Sequence, residues 1–323
     1  MARWLVTLLA VATSLSLVSV PVSAESSPSG RNGLLTFVRA GEIYTIAADG
    51  SSLRRLTRFG GGASDPTWSP DGRRIAFERA GFLWTMTAGG EQLRKITRGA
   101  DPAWSPDGLR LAFVREVPVT LDCGEEGGAI TRAATSVRVL RVAQPANDEV
   151  LYQHRPECEF WTHVRGTRWS PDGRWILHEN HPMTWSQSWS QSLRLVGVQS
   201  PHSIRELLVG GADAADGSYG HVVAGDSPGD FSPHGEIVLA LEDLNQSGDP
   251  TAGLYVMSQD GTGLRRVGVE EHVIDPVWSP DGRLLAYVHR DNDLPQIRTQ
   301  PSTGGTATTV AVNATQPDWQ PLP

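Results

Sequence analysis

Lysine is almost absent from this sequence, with Lys95 the only one among 28 basic residues. The remainder are arginine, which fits a GC-rich coding sequence and points to no mechanism. Basic charge as a whole is also short: 28 Lys and Arg stand against 36 Asp and Glu, a formal charge of −8. That balance argues against nucleic acid as the main ligand. Cysteine is scarce, two in 323 residues. Beyond the first two dozen residues no stretch approaches the roughly 18 consecutive apolar residues of a spanning helix, so no stable membrane insertion is expected there. What the chain has in quantity is glycine (34), proline (22) and tryptophan (11). Such turn-rich, tryptophan-rich composition suits one large all-β domain. Apolar residues, 39% of the total, are enough to bury a core.

The one long apolar run opens the chain. Arg3 precedes Trp4 to Val20, and Val22-Ser23-Ala24 puts small residues at the two positions a signal peptidase reads. Residues 1–24 therefore read as an export signal cleaved after Ala24. An uncleaved anchor is the alternative, but Thr7, Thr13, Ser14 and Ser16 interrupt the run, and no cysteine near the site offers a lipid anchor. Residues 25–323 are expected to be extracytoplasmic, either periplasmic or secreted.

An internal repeat organises those residues. Trp68-Ser69-Pro70-Asp71-Gly72 recurs identically from Trp104, Trp169 and Trp278. Phe231-Ser232-Pro233-His234-Gly235 is a degenerate fifth copy, and Asp318-Trp319-Gln320-Pro321 begins a sixth. Variable spacing between copies marks one supersecondary unit with variable connections. In each unit an inner strand ends in the aromatic residue and Ser-Pro-Asp-Gly makes a β-turn. A second strand alternates buried residues: Ile75 and Phe77, Leu111 and Phe113, Ile176 and His178, Leu285 and Tyr287. Third strands such as Glu42–Ile46 and Phe82–Met86 lead through glycine turns to a fourth. The first strand, Leu35–Phe37, lacks an inner partner, and the last, Pro317–Trp319, lacks a follower. Joined in one sheet they close a six-bladed β-propeller of four-stranded blades spanning residues 25–323, without free sheet edges. The two longest intervals leave room for an additional divergent blade.

Asp-Pro-x-Trp-Ser-Pro-Asp-Gly followed by a short apolar strand resembles the TolB-type, WD40-like propeller repeat, which also occurs in prolyl-oligopeptidase relatives. The resemblance covers residues 33 to 320 and implies a periplasmic propeller that binds partner proteins. TolB proteins carry an α/β domain ahead of the propeller and the peptidases carry a hydrolase domain. Neither has a counterpart in this sequence, so the resemblance implies neither a Tol–Pal role nor peptidase activity.

Candidate chemistry is sparse. Repetition of the Ser-Pro-Asp-Gly serines and aspartates argues for turns. Gly225-Asp226-Ser227-Pro228-Gly229 matches G-x-S-x-G, yet Pro228 cannot supply the oxyanion-hole N–H and no strand–turn–helix surrounds it, so Ser227 is not read as a nucleophile. His154, His163, His178 and His181 gather mid-chain, where His178 takes a core position of the repeat. His163 and His181 with a carboxylate are the candidate metal ligands. Trp161, Trp175, Trp185 and Trp189 exceed what the repeat needs; Trp185 and Trp189 are candidate stacking platforms for a sugar or peptide.

Tight turns occupy one face of the expected propeller, whereas the insertions (116–134, 155–166, 180–189, 210–228, 242–251, 290–294) fall on the other, mainly over blades three to five. One-sided elaboration is what a binding face shows. Asp65, Asp101 and Asp275 stand three residues before their tryptophans, forming an acidic crescent at the pore mouth on that face; starting the strand is their alternative role. Cys123 and Cys158 lie in connections of one blade on the same face, and in an oxidising compartment they are expected to pair. The sequence thus reads as an exported, non-catalytic, monomeric propeller without cofactor that binds a protein or peptide partner in the cell envelope. The alternative is a metal-assisted carbohydrate-active enzyme, lyase-like, or a sugar-binding propeller. Intact-mass analysis of the exported protein should find residues 1–24 removed; their retention would overturn the export reading.

Overall fold

The computed structural model describes residues 31–124, 128–184, 190–211, 221–223, 227–243, 252–268, 270–290 and 294–322. The expected signal segment, Trp185 and Trp189 lie outside them. Six antiparallel sheets form the blades. Blade one comprises β1 (Arg31–Arg39), β2 (Glu42–Ile46), β3 (Arg54–Arg55) and, innermost, the last strand, β25 (Thr315–Leu322). Blade two is β4 (Ala63–Trp68), β5 (Arg74–Arg79), β6 (Phe82–Thr87) and β7 (Arg94–Arg98). Blade three is β8 (Ala100–Trp104), β9 (Arg110–Asp122), β10 (Ala129–Arg141) and β11 (Gln144–His154). Blade four is β12 (Phe160–Trp169), β13 (Trp175–Thr184), β14 (Ser190–Gly197) and β15 (Ile204–Gly211). Blade five takes β16 (His221–Val223), β17 (Asp230–Phe231), β18 (Ile237–Asp243), β19 (Gly253–Met257) and β20 (Arg265–Arg266). Blade six is β21 (Val273–Trp278), β22 (Leu284–Arg290), β23 (Pro295–Pro301) and β24 (Thr308–Val312). Inner strands β25, β4, β8, β12, β17 and β21 neighbour one another in that order and close the ring. Six blades account for the described residues, and the long intervals hold longer strands rather than a seventh blade.

Each Ser-Pro-Asp-Gly turn is built the same way. The Ser69 hydroxyl accepts the Arg74 N–H at 2.9 Å and donates to the Asp71 carboxylate, which also accepts the Arg73 N–H. Gly72 sits at φ +65°, and a Cβ there would lie 2.4 Å from the Pro321 carbonyl oxygen of blade one. Only glycine satisfies both constraints. Second-strand side chains then pack between blades: Ile75, Phe77, Leu111, Phe113, Ile176, His178, Leu285 and Tyr287 are fully buried. Phe113 and Leu140 of blade three meet Leu83 and Ala76 of blade two in one such cluster. Truncating a buried phenylalanine of this kind typically costs about 3–5 kcal/mol.

Within the insertions expected at 116–134, 155–166 and 180–189, residues 116–122, 129–134, 160–166 and 180–184 prove to be strand. Val114 pairs with Ala100 at the start of β8, and β9 continues eight residues further to Asp122, about 26 Å of extended chain. β10 pairs with it throughout, from Ala129 opposite Asp122. β12 and β13 extend likewise beyond Gly166, with Phe160 opposite Thr184. Runs such as Val117-Pro118-Val119-Thr120-Leu121 are rich in β-branched residues, which favour strand over loop. Pro118 is tolerated because β8 has ended and β9 there is paired on one side only.

The β9–β10 hairpin and the paired start of β12 and end of β13 both rise on the face that carries the inner-strand starts. Cys123, at the tip of the first, is bonded to Cys158 in the link to the second, with Cα atoms 5.8 Å apart. The bond closes a 35-residue separation, for which chain entropy gives about 4 kcal/mol. The Cys123→Ser/Cys158→Ser variant should therefore unfold at lower urea, by up to that free energy, while unreduced denatured wild type should titrate no free thiol.

Candidate functional site

The inner strands build a channel whose lining changes along its length. Three residues before each aromatic lies a β-bulge residue with left-handed backbone: Asp65, Asp101, Gly166, Asp275 and Gln316 all have φ between +50° and +59°. In blade five this position is Pro228, whose ring forbids positive φ, and the neighbouring Gly229 takes φ +99° instead. Asp65, Asp101 and Asp275, expected to form an acidic crescent, line one cavity. That cavity holds about 30 Å³, room for ordered water. Its carboxylates also latch neighbouring blades. Asp101 Oδ2 accepts the Gly166 N–H at 2.8 Å, and Asp65 Oδ1 accepts from Gln316 Nε2 at 2.7 Å. Burial, reinforced by the Asp101 carboxylate beside it, pushes Asp65 up to about 7.

A second ring, one residue before each aromatic, was not singled out in the sequence. It consists of Thr67, Ala103, Arg168, Asp230, Val277 and Asp318. Arg168 and Thr67 line both the small cavity and a much larger one beyond it. The larger cavity opens on the tight-turn face, holds about 610 Å³, and is walled by the repeat aromatics and the Ser-Pro prolines. Asp230 and Asp318 lie at its channel end. Asp230 stands 3.8 Å from Arg168 Nε and accepts the Trp278 N–H at 2.8 Å; Asp318 accepts the Trp68 N–H at 2.7 Å. Burial raises Asp230 against the pull of Arg168, and pushes Asp318 up to about 7 against the same arginine.

His163 and His181 are cross-strand partners in the extension of β12 and β13 beyond Gly166. Each engages its own carboxylate: His163 Nδ1 lies 3.3 Å from Glu116, and His181 Nε2 lies 2.8 Å from Glu179. Among the described residues no group of three or more His, Cys, Asp or Glu is placed to hold a metal ion. His178 is buried against Tyr152, and that burial lowers it to about 4, as suits a core histidine. The extra Trp161 is covered by the Arg132 guanidinium, 3.9 Å from its ring centre. Ser227 is buried beside the small cavity, with its hydroxyl directed to the Gly229 carbonyl. No described helix is long and apolar enough to cross a membrane.

No protein-family profile matches the chain, and no curated protein matches it. Solved structures do. TolB from Acinetobacter baumannii superposes with a TM-score of 0.63 at 14% identity, over 90% of this chain and 67% of that one. A chain from Agrobacterium tumefaciens assigned as TolB gives 0.57 at 16% identity, covering 87% and 89%. A propeller from a nidogen/laminin complex gives 0.60 at 10% identity, covering 89% and 98%. The fold is a TolB-like propeller; likeness at this distance carries no activity with it.

The raised carboxyls make stability fall with pH. Asp318 holds its proton in the folded chain up to about 7, against 3.8 for the ordinary carboxyl, so the folded state binds more protons between those values. Its contribution is complete below the lower value and lost as pH rises through the upper. Asparagine at 318 still accepts the Trp68 N–H. Asp318→Asn should therefore raise the melting temperature at pH 8 and shrink the fall seen between pH 5 and pH 8. A thermal-melt series across that range checks it.

Proposed function

We propose that this chain is an extracytoplasmic, non-catalytic propeller that recognises a protein or peptide partner on its hairpin-bearing face. The observation that carries this reading is the asymmetry of the two faces. One presents short turns, while the β9–β10 hairpin and the paired outer ends of β12 and β13 stand up beside the channel on the other. A tie between hairpin tip and interblade link removes flexibility that binding would otherwise have to freeze out, and preorganisation of that kind favours affinity. Along β9, Glu116, Val117 and Pro118 are exposed to a partner. Near the foot of the wall, Asp65, Asp101 and Asp275 bias the channel end negative, which suits a cationic partner group. The disulfide supports an oxidising compartment. That a nidogen propeller is found in a complex with laminin supports protein binding as a use of such a fold.

The test compares wild type with the triple variant Asp65→Asn, Asp101→Asn, Asp275→Asn as immobilised bait for envelope proteins of the source cell. Wild type should retain a specific partner. The triple variant should bind it roughly tenfold more weakly at low salt, with the difference shrinking as salt screens the charges. Its melting temperature should not fall, because asparagine can still accept the latching hydrogen bonds and removes the buried carboxyl of Asp65. Unchanged affinity with lost stability would make the acidic ring structural. Retained metal, with turnover of a polysaccharide abolished by His181→Ala, would replace the reading by the carbohydrate-enzyme alternative.

A further inference from the structure

The funnel on the tight-turn face is far larger than the small cavity in the channel, and nothing in the proposed partner surface uses it. Its 610 Å³ falls in the range that encloses a small organic ligand. Aromatic rings and prolines from all the blades make its wall apolar, and its charged groups, Arg168, Asp230 and Asp318, all come from the inner strands one residue before the aromatic. Those groups are unequal in sign. Arg168 lies beside Asp230, on the adjacent blade. Asp318 stands on the blade across the ring and is held by neutral donors, the Trp68 N–H and the Thr67 hydroxyl. The charged groups facing it are Arg168 and Asp230. One guanidinium is thus shared between Asp230 and Asp318, and it also pulls on Asp65.

We infer that the funnel is a binding site for a small organic cation, an ammonium or guanidinium carried on an apolar body. Such a ligand pairs its charge with Asp318 and lays its body against the aromatic wall, where ring quadrupoles also favour positive charge. An anion would have to compete with Asp230 for Arg168 and would meet the second carboxylate. A neutral ligand would gain the wall alone. Because Asp318 carries a proton at lower pH, cation binding should displace it and strengthen as pH rises toward 8. The site lies at the opposite end of the channel from the hairpins, so its success or failure is independent of the partner proposed there.

Calorimetry with 4-phenylbutylamine, 4-phenylbutan-1-ol and 4-phenylbutyrate at pH 8 tests the inference on one apolar body with three head groups. The amine should bind roughly tenfold more tightly than the alcohol, with the acid weakest. Asp318→Asn should remove the advantage of the amine and leave the alcohol unchanged. Asp49→Asn, an exposed carboxylate on a distant turn, should alter none of the three. Should Asp318→Asn not fold, Asp230→Asn takes its place, since it leaves Arg168 free to repel the amine. Equal affinity for amine and alcohol, preference for the acid, or an amine affinity indifferent to these substitutions would each overturn the inference.

Discussion

Among the described residues no ladder of backbone hydrogen bonds runs between blades, so the ring depends on side chains that reach from one inner strand to the next. The Trp68 N–H is held by Asp318, the Trp278 N–H by Asp230, and the Gly166 N–H by Asp101. Gln316 and Asp65 exchange two bonds across the seam between blades one and two, the Asp65 N–H donating to Gln316 Oε1 at 3.1 Å. The Trp169 indole donates to the Ala103 carbonyl. Each latch satisfies a backbone or side-chain group that would otherwise be buried unpaired, at about 1–3 kcal/mol apiece. The price is a cluster of carboxylates in a narrow channel, and their raised pKa values express it.

Outside the channel the blades are held by aromatic and aliphatic packing, to which arginine contributes. The Arg74 guanidinium lies 4.5 Å from the Trp104 ring centre, and Arg110 lies 4.7 Å from Trp169. Both reach from the second strand of one blade onto the inner tryptophan of the next, a planar contact that lysine serves less well. Arginine bias that had suggested only codon usage therefore also has a structural use in this fold.

Six blades, the closing joint and the Cys123–Cys158 bond were legible because repetition exposes them: five aromatics followed by Ser-Pro mark the inner strands, and two cysteines admit one pairing. The hairpins were not, since residues 116–134 differ from the other blades and departure from a repeat looks like a loop. Their β-branched content was the available signal. The ring of Arg168, Asp230 and Asp318 escaped for a related reason. Its position is occupied by six residues of differing chemistry, and a repeat reveals what recurs. Reading the inner strands at period two, back from the aromatic, would have put all six on the channel. Trp185 and Trp189 lie outside the described residues, and the large cavity uses the repeat's own tryptophans, whose turns had looked purely structural.

The joint in blade one also sets how the molecule answers to force. β1 and β25 are antiparallel neighbours, with Arg31 opposite Leu322, so the chain enters and leaves the sheet at the same end. Tension applied between those two points loads the ladder one rung at a time, as in opening a zipper, rather than shearing all rungs together. The first rungs are interrupted by bulges between Asn32 and Leu35 and between Thr36 and Val38. Mechanical failure should therefore begin in blade one at low force and open the ring there, while the disulfide-tied hairpins on the far side still hold.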